Sequence, residues 1–264
     1  MLYPSLKGKS AVVTGSTSGI GLAIARELAA NGCAVTLNGF GDLNEIKSLC
    51  TELEKLGAAG VNYSDADMRY PDQITEMIQR AAELTGSIDI LVNNAGIQHV
   101  APIESFPTDK WNDIIAINLS SSFHTMKAAL PYMVKTGWGR VINVASAHSL
   151  VASPYKSAYV AAKHGIAGLT KTAALEMAEN NVTVNAVAPG YVETPLVTGQ
   201  IADTARVKGM TEEEVIHDVM LLAQPTRKLI TTEQVANLVL FLCTDQASAI
   251  TGSILPIDGG WTAK

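Results

Sequence analysis

Short apolar, β-branched runs alternate with helical patterns along almost the whole chain, and this rhythm limits the fold more than any single motif does. "SAVVTG" reads as a strand. "IGLAIARELAANG" then carries apolar residues at helical spacing and stops at Gly32, a fitting C-terminal cap. "AVTLNGF" is a second strand, and "DLNEIKSLCTELEKLG" is an amphipathic helix with Asp42 as N-cap and Gly57 near its end. "VNYSDAD", then "PDQITEMIQRAAELTG" with Pro71 near its start, then "IDILVNNAG" repeat the unit. The pattern continues with a helix over about 108–136, the strand "GRVINVAS", a helix over 156–180 and the strand "VTVNAVAPG". A helix near 231–243 and the strand "SILPIDGG" complete it.

Strands that are apolar throughout are buried on both faces, so they belong to a parallel sheet covered by helices on each side. The expected fold is α/β: a Rossmann-type doubly wound parallel sheet, as one domain over 1–264. No linker, repeat or low-complexity segment divides the chain. One stretch, 191–225, breaks the rhythm between a strand and the next helix. Its place on the C-terminal side of a strand predicts a substrate lid containing short helices.

Composition narrows the function. The chain is 47% hydrophobic and 17% charged, which suits a well-buried core with further apolar surface between subunits. A net charge of -6 and the lack of a basic run argue against a nucleic-acid partner. Cys33, Cys50 and Cys243 are far apart and odd in number, which predicts no disulfide framework and a reduced, cytoplasmic setting. "MLYPSLKGKS" lacks a signal-like apolar region, and the longest apolar run, "ANLVLFLC", is too short to span a bilayer, so no membrane association is expected. No metal site is expected.

The turn after the first strand reads "TGSTSGIG", residues 14–21. Glycines there permit positive φ and close backbone approach, and the start of the next helix offers free N–H groups to a pyrophosphate. The context, strand before and helix after, is the one that a dinucleotide site requires. The second strand ends in Asn38-Gly39-Phe40, with neither the acid that would accept both ribose hydroxyls nor an arginine for a 2′-phosphate. With no cation in the loop either, NAD is favoured over NADP.

"TGSTSGIG", "NNAG" at 93–96, Asn118, Ser146, "YVAAK" at 159–163 and "PG" at 189–190 together resemble a short-chain dehydrogenase/reductase, in order and spacing and over essentially the whole chain. The resemblance implies a catalytic set of Asn118, Ser146, Tyr159 and Lys163. Tyr159 and Lys163 are four apart and share a helix face. A tyrosine ordinarily titrates near about 10, and an adjacent ammonium favours its phenolate, so Tyr159 is expected to exchange a proton with the substrate hydroxyl. Ser146 would hydrogen-bond the substrate oxygen, Asn118 would place a water linking Lys163 to solvent, and Lys163 would hold the nicotinamide ribose. By the same resemblance the cofactor is lined by Gly15, Thr17, Ser18, Gly19, Ile20, Gly21, Phe40, Asn94, Ala95, Gly96, Pro189, Gly190 and Val192, with Asp67 at the adenine and Thr194 at the carboxamide. A homotetramer is also implied.

Lys156, Tyr159 and Lys163 fall at i, i+3 and i+7, so Lys156 shares the catalytic face. His148 lies two residues past Ser146, Gln98 follows "NNAG", and Gln200 lies in the lid. One cation and three hydrogen-bonding groups form a carboxylate site, which predicts a small carboxylate substrate. With Trp261 and "LNGFGD", these residues are similar to bacterial family members that interconvert (R)-3-hydroxybutyrate and acetoacetate with NAD. That similarity assigns Gln98, His148, Lys156, Gln200, Trp261 and Tyr191 to the substrate, with Tyr191 standing where some relatives carry tryptophan. Two alternatives remain: an NADPH-dependent 3-oxoacyl-carrier-protein reductase, and a non-catalytic nucleotide-binding sensor or scaffold.

Overall fold

The computed structural model describes residues 3–263. Seven strands form one parallel sheet in the order β3-β2-β1-β4-β5-β6-β7. They are β1 (Ser10–Val13), β2 (Ala34–Asn38), β3 (Gly60–Ser64), β4 (Ile90–Asn93), β5 (Gly139–Val144), β6 (Val182–Pro189) and β7 (Ile254–Ile257). β1, β4, β5 and β6 are buried throughout, which explains their largely apolar sequences, and the polar Asn143 and Asn185 among them are hydrogen-bonded inside the fold to Thr170 Oγ1 and Ile250 O. Chain order reverses between β1 and β4, where Val13 lies opposite Leu37 on one side and Val92 on the other. Ligand crevices in open α/β sheets form at such a switch point.

Helices α1 (Gly19–Ala30), α2 (Leu43–Leu56) and α3 (Pro71–Thr85) follow the first three strands as expected. The Asp42 carboxylate caps α2 through the N–H groups of Asn44 and Glu45, and Gly57 ends it at φ +116°. One face of the sheet packs Ile24, Leu28 and Val35 against Val239 and Leu240, and the other packs Val12 and Val141 against Ile78, Met126 and Met133.

The expected helix over 108–136 is not continuous. It divides into α4 (Thr108–Ile115), a π-helical turn (Ala116–Ser120) and α5 (Ser121–Thr136). Two contacts accompany the widened turn. The Asn118 side chain exchanges hydrogen bonds with both backbone groups of Ile97, and Leu119 packs so closely on Gly165 that a Cβ there would lie 2.8 Å from Leu119 Cδ2. The helix expected over 156–180 is α6 (Ser157–Met177) followed by a 3₁₀ turn.

The region expected to be a lid is more helical than its sequence suggests. It holds α7 (Pro195–Lys208), α8 (Glu212–Glu214), a π turn (Val215–Met220) and α9 (Leu221–Ala223), before α10 (Thr232–Leu242). It has its own apolar cluster of Tyr191, Ala205, Val215 and Met220, against which Trp261 packs. Its base is closed where the Ile230 N–H donates to Tyr191 O and the Glu193 N–H to Ile230 O, each at 3.0 Å. Among the described residues no helix is long and apolar enough to cross a membrane, and the three cysteines are free.

Candidate active site

The loop between β1 and α1 is held across the switch point. Thr14 Oγ1 accepts the Asn94 and Ala95 N–H groups at 2.9 and 3.0 Å, and Asn94 Nδ2 donates to the carbonyls of Thr14 and Gly15. Gly15 has φ +59°, and a Cβ on it would stand 2.8 Å from Ala95 Cα, so only glycine fits this seam. The Ser18 side chain does not cap α1, so the helix start presents its backbone N–H groups without a side-chain partner from that residue.

Above the loop lies a cleft of about 350 Å³. Gly15, Thr17, Ser18, Gly19, Ile20, Phe40, Asp67, Asn94, Ala95, Gly96 and Thr194 all line it, together with Ala66, Met68, Ile97, Ile117, Pro195 and Leu196, which the sequence did not single out. No lysine or arginine is among these lining residues. Gly21, also expected at the cofactor, packs within the loop: its missing side chain faces Asn94 Nδ2 and the Gly15 carbonyl.

At the far end Asn38 is buried. It donates to the carbonyls of Ser64 and Ala66 and accepts the Gly15 N–H at 3.2 Å. The residue standing near the acid of the common pattern is therefore a structural tie. The Phe40 ring is 65% exposed at the rim. Asp67 is gripped by the Arg69 guanidinium at 2.6 Å, and that hydrogen bond holds its carboxyl below the usual range.

The cleft continues into a pocket of about 90 Å³ lined by Ser146, Tyr159, Lys163, Pro189, Gly190, Val192 and Thr194, and by Val144 and Ala145. Ser146 stands just beyond β5, while Tyr159 and Lys163 lie one turn apart on α6. Lys163 Nζ donates to Val144 O at 2.7 Å and lies 5.5 Å from the Tyr159 ring centre. Burial lowers the Lys163 pKa to about 8. Burial raises that of Tyr159, and a hydrogen bond with Ser146 works the other way. Desolvation is the larger of the two, so the phenol stands above its ordinary value, opposite to the depression expected from Lys163. Asn118 is buried beside this pocket, and its side-chain amide accepts the Ile97 N–H and donates to the Ile97 carbonyl, each at 2.9 Å.

A third pocket, of about 40 Å³, shares Ser146, Tyr159 and Gly190 with the second. Gln98, His148, Lys156, Tyr191, Gln200 and Trp261 all face it, with Leu196 and Val197 as apolar wall. Lys156 is not on the helix proper. It is the N-cap of α6, at φ −125° and ψ 35°, following Tyr155 at φ +68°. Its ammonium donates to Gln200 Oε1 at 3.2 Å and lies 5.3 Å from the Tyr191 ring centre. Burial, then the charge of Lys208, lowers its pKa to about 8.

The buried His148 ring bonds Ser153 Oγ through Nε2 at 2.9 Å and Ser146 Oγ through Nδ1 at 3.4 Å. Its pKa falls to about 3, from burial first and then from the Lys156 charge, so the ring is neutral. It stands edge-on to Trp261 at 5.0 Å, and Trp261 stacks on Tyr191 at 5.2 Å. Ser153 carries no sequence signal, since a loop serine is ordinary and its partner is visible only in three dimensions. His164 lies outside the pocket, exposed, with Nδ1 on the Val160 carbonyl of its own helix.

The pockets together form one channel, wide and nearly free of charge at one end, narrow and cationic at the other. A family model described as enoyl-(acyl carrier protein) reductase matches residues 15–262. The chain is 60% identical over 256 residues to a D-beta-hydroxybutyrate dehydrogenase of Rhizobium meliloti (strain 1021), covering 97% of this chain and 99% of that protein. It is 50% identical over 260 residues to the D-beta-hydroxybutyrate dehydrogenase of Cupriavidus necator, covering 98% and 100%. Among solved structures, an actinorhodin polyketide ketoreductase variant with NADPH superposes with a TM-score of 0.91 at 31% identity, over 97% of this chain and 98% of that one. These matches span nearly the whole chain, and with them the protein belongs to the short-chain dehydrogenase/reductase family, a family of nicotinamide-dependent oxidoreductases.

Proposed function

We propose that the protein interconverts (R)-3-hydroxybutyrate and acetoacetate with NAD. The observation that carries this reading is the 40 Å³ pocket, where Lys156, Gln98, His148 and Gln200 gather beside Tyr159. One buried ammonium and neutral donors suit a single carboxylate, and the small volume suits a short chain. The names of the two dehydrogenase relatives support the same substrate.

The residues fit a nicotinamide dinucleotide: Gly15 and Gly19, both at positive φ, put bare main chain in the lining of the cleft, and the start of α1 lies in the same lining. The lack of a lysine or arginine among the lining residues supports NAD over NADP. When bound, the nicotinamide accepts or returns the hydride. The protein does the rest. Lys156, with Gln98, His148 and Gln200, anchors the carboxylate and so fixes the β-carbon. Ser146 hydrogen-bonds the reacting oxygen, and Tyr159 takes or returns its proton. Lys163, held by Val144 O, supplies positive charge beside the phenol and a donor for the ribose. Asn118 acts through the wide turn it stabilises. Residues 191–225 serve as the lid, with Gln200 of α7 meeting Lys156 on closing.

A homotetramer in the cytoplasm completes the proposal, supported by exposed Trp111, Phe123 and Leu175 on α4, α5 and α6 and by the free cysteines. The deciding experiment is a spectrophotometric panel of short 3-hydroxy acids, both enantiomers, with NAD and with NADP. Turnover led by (R)-3-hydroxybutyrate with NAD is expected. Preference for NADP or for a thioester overturns the reading.

A further inference from the structure

Gln224 closes the C-terminal end of the lid and is 0% exposed. Its Oε1 accepts the Tyr191 backbone N–H, and its Nε2 donates to Lys228 O at 2.6 Å. The fit has no slack. A Cβ on Gly190 would collide with Gln224 Oε1 and stand 3.1 Å from Asp258 Cα.

The same turn reaches the other ring of the pocket. The Arg227 N–H donates to Gln224 O at 2.7 Å, and the Thr226 N–H to Gly259 O at 3.1 Å. Pro225 packs on Gly260, where a Cβ would meet its Cγ at 3.5 Å, and the Trp261 N–H returns to Asp258 O at 3.2 Å. The buried amide holds its own turn to the Tyr191 backbone, and Pro225 and the Thr226 N–H of that turn hold Gly259 and Gly260, so one turn ties together two segments seventy residues apart, each ending in a ring of the Tyr191–Trp261 stack.

We infer that Gln224 is a positioning residue: it sets the Tyr191–Trp261 stack and, through it, the wall of the pocket beside Lys156. Its function in catalysis rests on the reading that this pocket takes the hydroxy acid. The plainer role, a glutamine that only satisfies two backbone groups at the lid base, would leave the stack where it is when the amide is lost.

The test labels the enzyme with 5-fluorotryptophan, and Trp261→Phe assigns the Trp261 fluorine resonance. Gln224→Met keeps the length and loses both hydrogen bonds, and Gln224→Asn keeps an amide but shortens its reach. Either is expected to shift or broaden the Trp261 resonance while those of Trp111 and Trp138 hold. The KM for 3-hydroxybutyrate should rise about three- to tenfold, as the loss of one or two buried hydrogen bonds implies, with kcat and NAD affinity little changed. An unmoved Trp261 resonance with an unchanged KM, whatever the fall in Tm, overturns the inference. If the wild type does not oxidise 3-hydroxybutyrate, the proposed function fails, but the fluorine spectrum still decides the placement of Trp261. Should neither variant fold, hydrogen exchange on the wild type decides. Tyr191 and Trp261 amides exchanging in one cooperative step support the tie, and a Tyr191 amide exchanging independently overturns it.

Discussion

At the nucleotide end of the channel the fit is made by main chain: Gly15 at φ +59°, the Thr14–Asn94 bonds across the switch point and the uncapped start of α1. At the substrate end it is made by side chains carried from positions 98, 148, 156, 200 and 261, on separate parts of the chain. The first end is built mainly from atoms that every residue type carries. The second is built from particular side chains, so single replacements there should alter which molecule is accepted. The difference can be broken or sharpened by substitution, beginning where both ends meet.

Tyr159→Phe removes the proposed proton-transfer group, which lines both the middle pocket and the 40 Å³ pocket. A positioned acid or base contributes about 10²–10⁴-fold, so kcat should fall on the order of 10³-fold with NAD binding kept, as read by fluorescence titration. Substantial residual turnover in a clean preparation would remove Tyr159 from the proposed role. Lys156→Ala strikes the substrate end alone. Hydrogen bonds to a charged partner contribute about 1.5–3 kcal/mol, so KM for 3-hydroxybutyrate should rise about ten- to a hundredfold while the KM for NAD holds. An unchanged substrate KM takes Lys156 out of the anion site.

Gly15→Ala strikes the nucleotide end alone. Holding a non-glycine residue at positive φ costs about 1–2 kcal/mol before the clash with Ala95 is counted, so NAD affinity should weaken about tenfold by calorimetry. Equal losses at both ends would mean that the two are not separable. The smallest effect is one of pH. Lys156 has its pKa lowered to about 8 by burial and by Lys208, so its ammonium is present below that value and lost above it. In the free enzyme kcat/KM for the hydroxy acid should therefore decline above about pH 8. Lys163 also titrates near 8, and Lys156→Arg separates them, since a guanidinium stays charged and moves the decline upward only if Lys156 causes it.

The contrast also explains what can be read without coordinates. The sheet is legible because its central strands are buried on both faces and therefore largely apolar in sequence. The loop around Gly15 is legible because its chemistry is local, eight consecutive residues that leave β1 and open α1. Gly21 belongs to the same motif, but that its missing side chain faces Asn94 is visible only in three dimensions. The break at Ala116–Ser120 leaves no mark, since it depends on Ile97 and Gly165, remote in sequence. The substrate end is legible only as a resemblance. Helical spacing places Lys156 on the face of Tyr159, yet Lys156 precedes the helix, and its backbone angles are not those the spacing assumes. Ser153, Leu196, Val197 and Gln224 are common residues whose meaning lies in their neighbours.

The seam between β1 and β4 bears on how the chain reaches its native state. β1 can pair with β2 after a short excursion, but its other neighbour lies some eighty residues away, with Ala11 opposite Ile90 and Thr14 bonded to Asn94. Such distant pairings are slow to form. The wall that receives the dinucleotide exists only once this pairing is complete, so partly folded chains lack the binding site. Dinucleotide in the refolding buffer should therefore leave the early rate of collapse unchanged and act afterwards, by slowing unfolding of chains that have already joined the two halves of the sheet.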